Sequence, residues 1–442
     1  MSADIPIIAR NRVSDRARRT LDTVKNFVEE ECIPADPVFH AQLGEGEKRW
    51  SSYPPVIDDL KAKAKKLGLW NLFLPHHFKE GAGFSNLEYG LMAEHMGKCR
   101  VASEATNCAA PDTGNMEVLV KYANDTQKKD WLQPLLNGDI RSAFLMTEPA
   151  VASSDATNIT LTMKREGNEY VLNGSKWWSS GAGDPRCKIY LVMGKTDPNN
   201  ADPYRQQSVI LVPAGTKGVT IKRMLSVYGY DDAPHGHGHI TFDNVRVPAS
   251  NIVLGEGRGF EIIQGRLGPG RIHHAMRSIG AAEKALEWMI NRVNDSERKT
   301  FGKQLNQHGV ILEWIAKSRM EMDSARLVVL NAAIKIDESD AKGALKEIAE
   351  AKVLVPQMAL TVIDRAVQSY GGGGVSQDTP LASMWAQIRT LRIADGPDEV
   401  HLQQMGRNEN KRAAEVGARM AEQVRITERM MKQYGAPAKS HL

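Results

Sequence analysis

Cysteine is scarce in this chain: Cys32, Cys99, Cys108 and Cys187 are the only four in 442 residues, and no two form a Cys-x-x-Cys pair. That count and spacing exclude a disulfide framework and a zinc ribbon, and they fit a reducing compartment. No apolar run approaches the ~18–20 residues that a membrane-spanning helix needs. The N-terminus has no signal-peptide core, and early acids such as Glu30 and Glu31 argue against a transit peptide. An excess of one charge is also missing. Lys and Arg number 57 against 53 Asp and Glu, and the basic residues are scattered, which leaves no footprint for nucleic acid. The usual phosphate loops are absent. Gly255-Glu-Gly-Arg-Gly259 is followed by Phe260 and by no βαβ pattern, Gly371 to Gly374 run into Val375-Ser376, and there is no Walker A sequence. A Rossmann or P-loop enzyme is thereby excluded.

What remains is an ordinary globular composition, 42% hydrophobic and 25% charged. The length suggests about three domains. Apolar residues recur at helical spacing in Val13 to Glu31, Val56 to Leu67, Leu87 to Met96 and Met116 to Tyr122, so residues 1–140 read as a helical domain. Within it, Lys61-Ala-Lys-Ala-Lys-Lys66 reads as a solvated helix face. The texture then changes. Tyr170 to Trp178 reads as two short strands hinged on Asn173-Gly174, a strong hairpin signal. Ile189 to Met193, Ser208 to Val212, Val219 to Ile221 and His239 to Val247 continue the strand pattern, which makes 141–254 a compact β barrel or sandwich. Long helical periodicity returns over 259–294, 307–336, 340–369 and 398–432. Residues 255–442 therefore read as an antiparallel four-helix bundle, and the whole chain as α+β.

Several stretches carry more polar detail than packing needs. Phe144 to Asp155 begins apolar and turns to small residues and hydroxyls, suited to close approach of a ligand or, equally, to a Ser-rich loop. Trp177-Trp178-Ser-Ser-Gly181 offers a flat aromatic beside hydroxyls, for covering a planar ring or filling a core. Glu297 to Lys303 is a basic, hydroxyl-bearing turn, fit for a pyrophosphate or for solvent. His235-Gly-His-Gly-His239 alternates, so an extended chain would line up three imidazoles. They lack an acidic fourth metal ligand in register, which favours a polar loop near a ligand. Most informative is Leu391-Arg-Ile-Ala-Asp395-Gly-Pro-Asp-Glu-Val-His401, where an apolar segment meets an acid, a Gly-Pro break and a new helix. Asp395 is placed either to cap that helix, with Asp398 as a weak capping-box partner, or to face a cleft.

Thr147-Glu-Pro149, Ser154-Asp155, Asn173 to Trp178, Glu297 to Gly302, Gln368-Ser-Tyr-Gly-Gly372 and Asp395-Gly396 stand in the order found in the acyl-CoA dehydrogenases. The chain resembles that family over nearly its whole length. It is most similar to the branch containing the C-terminal dehydrogenase domain of animal family members 10 and 11, which shares Ala110 to Glu117, Leu267 to His274 and Ala394 to His401. The resemblance implies an acyl-CoA substrate and an FAD cofactor held between the β domain and the C-terminal bundle of a homodimer or homotetramer. The flavin would be lined by Phe144, Met146, Thr147, Ser153 and Ser154, covered by Trp178, and met at N5 by Ser180. Arg298, Thr300, Phe301, Gln368, Gly372 and Glu399 would serve the rest of the cofactor, several of them that of a partner subunit. Arg271, Ser154 and Gly396 would lie on the acyl-CoA side. Asp395 would be the base that takes the α-proton, its pKa raised by burial.

Three departures from the family pattern stand out. Asp395 replaces a glutamate and is shorter by one methylene, Pro397 replaces a threonine and has no N–H, and Gly268 replaces an aspartate. Because aspartate also serves as base in related nitroalkane oxidases, an oxidase of small carbon acids is the alternative enzyme. A catalytically silent acyl-CoA-binding homologue is the alternative outside enzymes. The electron acceptor is an electron-transfer flavoprotein or oxygen. Ser440-His441-Leu442 resembles a peroxisomal address, which implies peroxisomes in a eukaryote and otherwise the cytoplasm.

Overall fold

The computed structural model describes residues 5–435, without the side chains of 267–269; Gly268 and the Ser440-His441-Leu442 tripeptide lie outside that description. The longer N-terminal helices are α1 (Asp15–Phe27), α2 (Ile33–Leu43), α3 (Val56–Lys66), α4 (Asn86–Met96) and α5 (Asp112–Tyr122). Helix α4 is buried on nearly every side, so its start cannot be left to water. Ser85 and Glu88 close a capping box there, and Asp337 from the C-terminal region accepts the N–H groups of Asn86 and Leu87 at 2.8 and 3.0 Å.

Strands β1 (Arg141–Leu145), β2 (Thr162–Glu166), β3 (Glu169–Ser180), β4 (Cys187–Lys195), β5 (Gln207–Pro213), β6 (Val219–Leu225) and β7 (His237–Pro248) make one seven-stranded sheet. Its order is β1-β4-β2-β3-β7-β6, with β5 on the other edge of β4. The continuous apolar runs of β4 and β5 follow from burial on both faces. Ile189, Leu191, Met193, Val209 and Leu211 face the helical core, while Tyr190, Val192, Ile210 and Val212 face the core of the sheet itself. The sequence expectation fails at Asn173-Gly174. Strand β3 runs straight through it, the pairing with β7 slips there, and the hairpin turn falls at 167–168 instead. Gly174 takes φ +146°, and a side chain on it would run into Leu161. The pair is a bulge, not a turn.

The C-terminal helices are α6 (Gly259–Val293), α7 (Gly309–Glu338), α8 (Leu345–Tyr370), α9 (Leu381–Thr390), α10 (Asp398–Asn410) and α11 (Ala413–Gln433). Helix α6 is the spine, packed on α4, α5, α7 and α8. Among the described residues the four segments expected from periodicity become these six, with a further single turn at Gly372–Val375. A helix precedes Asp395 where none was expected, and the segment 398–432 breaks at Lys411-Arg412. Among the described residues, no helix is long and apolar enough to cross a membrane.

Candidate active site

Between α9 and α10 the chain makes a tight turn. Asp395 takes φ +56° and Gly396 φ +97°. A side chain at 396 would press on His401 Nε2 at 2.9 Å, so the position requires glycine. The turn is held by its backbone. Arg271 donates from Nε and Nη2 to the Asp395 carbonyl at 3.2 and 3.0 Å, His401 Nε2 lies 3.3 Å from that oxygen, and Lys352 Nζ donates to the Gly396 carbonyl at 2.5 Å. Asp398 is buried and held by Arg392 at 2.6 Å and Lys352 at 3.5 Å. This corrects the capping expectation. Pro397 is the N-cap of α10 and no side chain caps it. Asp395 sits two residues too early to reach the helix N–H groups, and Asp398 opens the helix as an ion-pair partner. Glu399 is exposed in the first turn of α10.

The Asp395 carboxylate is half-buried, with His274 Nε2 at 3.9 Å from Oδ2. Burial raises its pKa, while His274, Arg266, Arg271 and Lys352 lower it, and the lowering wins. The expected upward shift is thus reversed in the protein alone, because α6 and α8 deliver cations to the site. His274 is itself pushed down to about 4, chiefly by burial and Arg277. The fixed positive charge at neutral pH therefore comes from the two arginines and Lys352. Arg266 also lies over the Phe144 ring, 4.2 Å from its centroid, which ties the end of β1 to the surroundings of Asp395. Beyond Arg266 stands Glu117 of α5, buried, its carboxyl pushed up to about 8 by burial.

Sequence reasoning left Arg266, His274, Lys352 and Glu117 without roles. Two signals were there. Arg271, His274 and Arg277 recur every three residues along α6, one polar stripe on an otherwise packed helix. Lys352 falls on the apolar stripe of α8 formed by Ile348, Val355, Ala359 and Val362.

A second group of expected residues gathers at the ends of β1 and β3. Glu148 and Lys176, quoted above in separate motifs, pair at 2.8 Å with both side chains buried. Glu148 also accepts from the Thr160 and Leu161 N–H groups at 2.7 and 2.9 Å. Burial alone would raise its carboxyl, yet Lys176 holds it below the usual range. The pair seats the 146–154 loop against β3, where the Trp177 N–H donates to the Thr147 carbonyl at 2.9 Å. Ser153 Oγ accepts from the Glu148 N–H at 2.9 Å, so that hydroxyl closes the loop; Ser154 is exposed. Trp178 stands at φ +52° with its indole 40% exposed. A large side chain in the left-handed region is strained by ~1–3 kcal/mol and tends to mark function. Ser180 Oγ is 2.9 Å from His237 Nδ1. The three histidines diverge: His235 enters an ion-pair network, His237 bonds Ser180, and His239 lies 2.9 Å from Ser175 Oγ.

The third group lies elsewhere. Lys299–Thr300 and Lys303–Gln304 form a two-stranded hairpin, β8–β9, with Phe301 at its tip, 96% exposed and at φ +51°. Arg298, Gln368 and Gly372 are exposed and Thr300 is half-buried. Lys352 and Gln368 sit near opposite ends of α8, about 24 Å apart by the helix rise. One chain does not bring this group to Asp395.

Family models for the acyl-CoA dehydrogenase N-terminal, middle and C-terminal domains match residues 14–139, 143–245 and 257–409. The chain belongs to the acyl-CoA dehydrogenase family. It is 55% identical to acyl-CoA dehydrogenase family member 11 of Gallus gallus over 89% of this chain and 50% of that protein. It is 54% identical to the Mycobacterium tuberculosis protein designated acyl-CoA dehydrogenase FadE2, over 81% of this chain and 86% of that one. The chain spans about half the length of the family member 11 relatives it matches. Butyryl-CoA dehydrogenase of Megasphaera elsdenii, 27% identical, superposes with a TM-score of 0.74 over 89% of this chain and 98% of that one. A Mycobacterium abscessus structure assigned as an acyl-CoA dehydrogenase, 49% identical, gives 0.87 over 91% and 99%. Acyl-CoA dehydrogenases are FAD-binding oxidoreductases that act on acyl-CoA and oligomerise. The residues here fit such a cofactor: the Trp178 indole is exposed at a strained irregularity of β3, where the pairing with β7 slips, and the Ser180 hydroxyl follows two residues on, an aromatic surface with a polar group beside it.

Proposed function

We propose that the chain catalyses α,β-dehydrogenation of an acyl-CoA thioester to the trans-2-enoyl-CoA, with Asp395 as the base. The observation that carries this reading is the turn itself: Asp395 is strained into the left-handed region, its backbone oxygen takes the hydrogen bonds of Arg271 and His401, and its carboxylate is left turned toward a recess. Strain kept by so many backbone contacts is the mark of a positioned group. Asp395 would take the α-proton of the thioester, while the cationic surroundings that hold it ionised also favour the developing enolate. Bound FAD would supply the acceptor for the β-hydrogen. Gly396, with no side chain to press on His401, lets the chain make the turn that aims the base, and Arg271 acts through the turn by fixing the Asp395 carbonyl, a different role from direct contact with acyl-CoA.

Trp178, Phe144, Met146, Thr147 and Ser180 would line the flavin, with Ser153 and Ser154 shaping the loop beside it. Arg298, Thr300, Phe301, Gln368 and Gly372, too far from Asp395 within one chain, would reach the cofactor of a neighbouring subunit in a homodimer or homotetramer, and Glu399 would lie along the same cofactor. A role in β-oxidation, with an electron-transfer flavoprotein or oxygen as acceptor, follows from the same reading. Aspartate at the base position also favours a nitroalkane oxidase.

The deciding experiment is anaerobic titration of the yellow holoprotein with straight-chain thioesters from butyryl- to stearoyl-CoA and, separately, with nitroethane, followed by flavin absorbance. Bleaching by an acyl-CoA is expected. Bleaching by nitroethane alone would transfer the reading to the oxidase, and a colourless protein that takes up no FAD would leave a silent homologue.

A further inference from the structure

His274 stands in the middle of the polar stripe of helix α6, one turn past Arg271 and one before Arg277. Arg277 Nη2 stands 3.2 Å from His274 Nδ1. A guanidinium offers only N–H donors, so Nδ1 accepts, and the ring proton of the neutral imidazole is on Nε2. That nitrogen is the one turned to Asp395, 3.9 Å from Oδ2. Burial and Arg277 keep the imidazole neutral, so it meets the carboxylate as a hydrogen-bond donor and not as a cation. The adjacent His273 is committed elsewhere, packed edge-on against Tyr89 with ring centroids 4.6 Å apart. Arg266 and Arg271 of α6 and Lys352 of α8 add charge around the carboxylate. Lys352 and Arg271, with His401, bond the backbone of the turn, and Arg392 and Asp398 pair beside it.

We propose that His274 is the positioning residue of the base: its Nε2–H holds one oxygen of the Asp395 carboxylate and leaves the other free to take the substrate proton. This rests on the reading of Asp395 as base. The 3.9 Å separation is longer than a hydrogen bond. The proposal requires it to shorten with substrate in place, as catalytic contacts do that are long in the free enzyme. Aspartate has one torsion fewer than glutamate, so a single donor on one oxygen suffices to fix the aim of the other. When the free oxygen takes the proton, His274 remains a neutral donor and no further group changes charge.

The test is the pH dependence of anaerobic flavin bleaching in the holoenzyme, using the thioester that bleaches it fastest. In the wild type the rate falls on the acid side as Asp395 protonates. His274→Leu removes a hydrogen bond to the charged form, so the acid limb moves to higher pH and bleaching there slows by about tenfold, with bound FAD unchanged. His274→Gln keeps an N–H donor and is expected to restore most of the wild-type profile. A His274→Leu limb that coincides with wild type, while Asp395→Asn is inactive, overturns the proposal and spares the base. Normal bleaching by Asp395→Asn overturns the reading of the base itself. Should His274→Leu not fold, 15N NMR of histidine-labelled wild-type holoenzyme decides: the Nε2–H tautomer at neutral pH is expected, and an Nδ1–H tautomer or an imidazolium there refutes the proposal.

Discussion

Two clusters in this molecule put carboxylates among cations, and they are built in opposite ways. In the cluster between the N-terminal helices and the sheet, Glu104 meets Arg186 at 2.7 Å, Arg141 at 2.8 Å, His235 at 2.9 Å and Lys61 at 3.2 Å, while Asp184 meets Arg186 at 2.7 Å and His235 at 2.9 Å. Every carboxylate there is saturated, and Lys61, expected on a solvated face, is turned inward to complete it. Around Asp395 three cations gather, Arg266, Arg271 and Lys352, but Arg271 and Lys352 spend their N–H groups on backbone carbonyls and leave the carboxylate uncommitted. A saturated carboxylate fastens domains together; an unsaturated one, aimed by its backbone, is available for chemistry. Charge alone does not distinguish them, but the destination of each hydrogen bond does.

The largest effect should come from breaking the uncommitted side. Asp395→Asn keeps the shape of the turn and removes the proposed base. Bleaching by acyl-CoA should fall by roughly 10²–10⁴-fold, the usual contribution of a positioned general base, with FAD content and melting temperature close to wild type. Retained bleaching would move the base elsewhere, and not to Asp398, which its ion pairs occupy. The converse change, Arg141→Met in the saturated cluster, should cost about 3–5 kcal/mol of stability, because Asp112 is left buried without its cation and Glu104 loses one of its four. Denaturant unfolding measures it. Bleaching per bound flavin should be unchanged in that variant, which is the sharper half of the prediction.

Lys352→Met probes the boundary between the two designs. It removes a cation from Asp395 and a donor from the Gly396 carbonyl at once. Because Lys352 lowers the base, its loss raises that pKa, so bleaching should slow several-fold on the acid side of the profile and recover as the pH rises. A rate loss equal at all pH values would instead assign Lys352 to the shape of the turn.

Much of this was legible in the sequence, and the exceptions have physical causes. The helix–sheet–helix order follows from the change of apolar period near Arg141 and again near Gly259, and strands β4 to β7 were each anticipated, while β3 was read as two strands. Asn173-Gly174 misled because a pair able to take positive φ serves a bulge as well as a turn, and only the partner strand decides. The Asp395 junction was found, but its cap was misread, since capping depends on a one- or two-residue offset that composition does not reveal. Arg266, His274 and Lys352 escaped for another reason. They lie on long helices whose other positions follow the packing pattern, and their meeting at Asp395 is set by the crossing of α6 and α8.

The smallest effect, and the one that best separates the clusters, is the response of stability to pH. Burial and Arg141 lower the His235 pKa, but Glu104 and Asp184 beside it win and raise it above the usual value. A histidine raised on folding stabilises fully below its unfolded pKa near 6.5, and that stabilisation is lost as the pH climbs through the folded value. Glu104 is held well below the carboxylate range, burial opposing and Arg141, His235 and Arg186 prevailing, so its contribution is present above its unfolded pKa and is lost only as the pH falls through the depressed value. The cluster should therefore be strongest between these limits, from above the ordinary carboxylate range to near neutrality. The melting temperature should decline from there toward alkaline pH, and His235→Gln should flatten that decline. His274, lowered rather than raised, predicts no such alkaline loss from the Asp395 side. If the decline survives in His235→Gln, the alkaline sensitivity belongs to another group and the two clusters are more alike than their geometry implies.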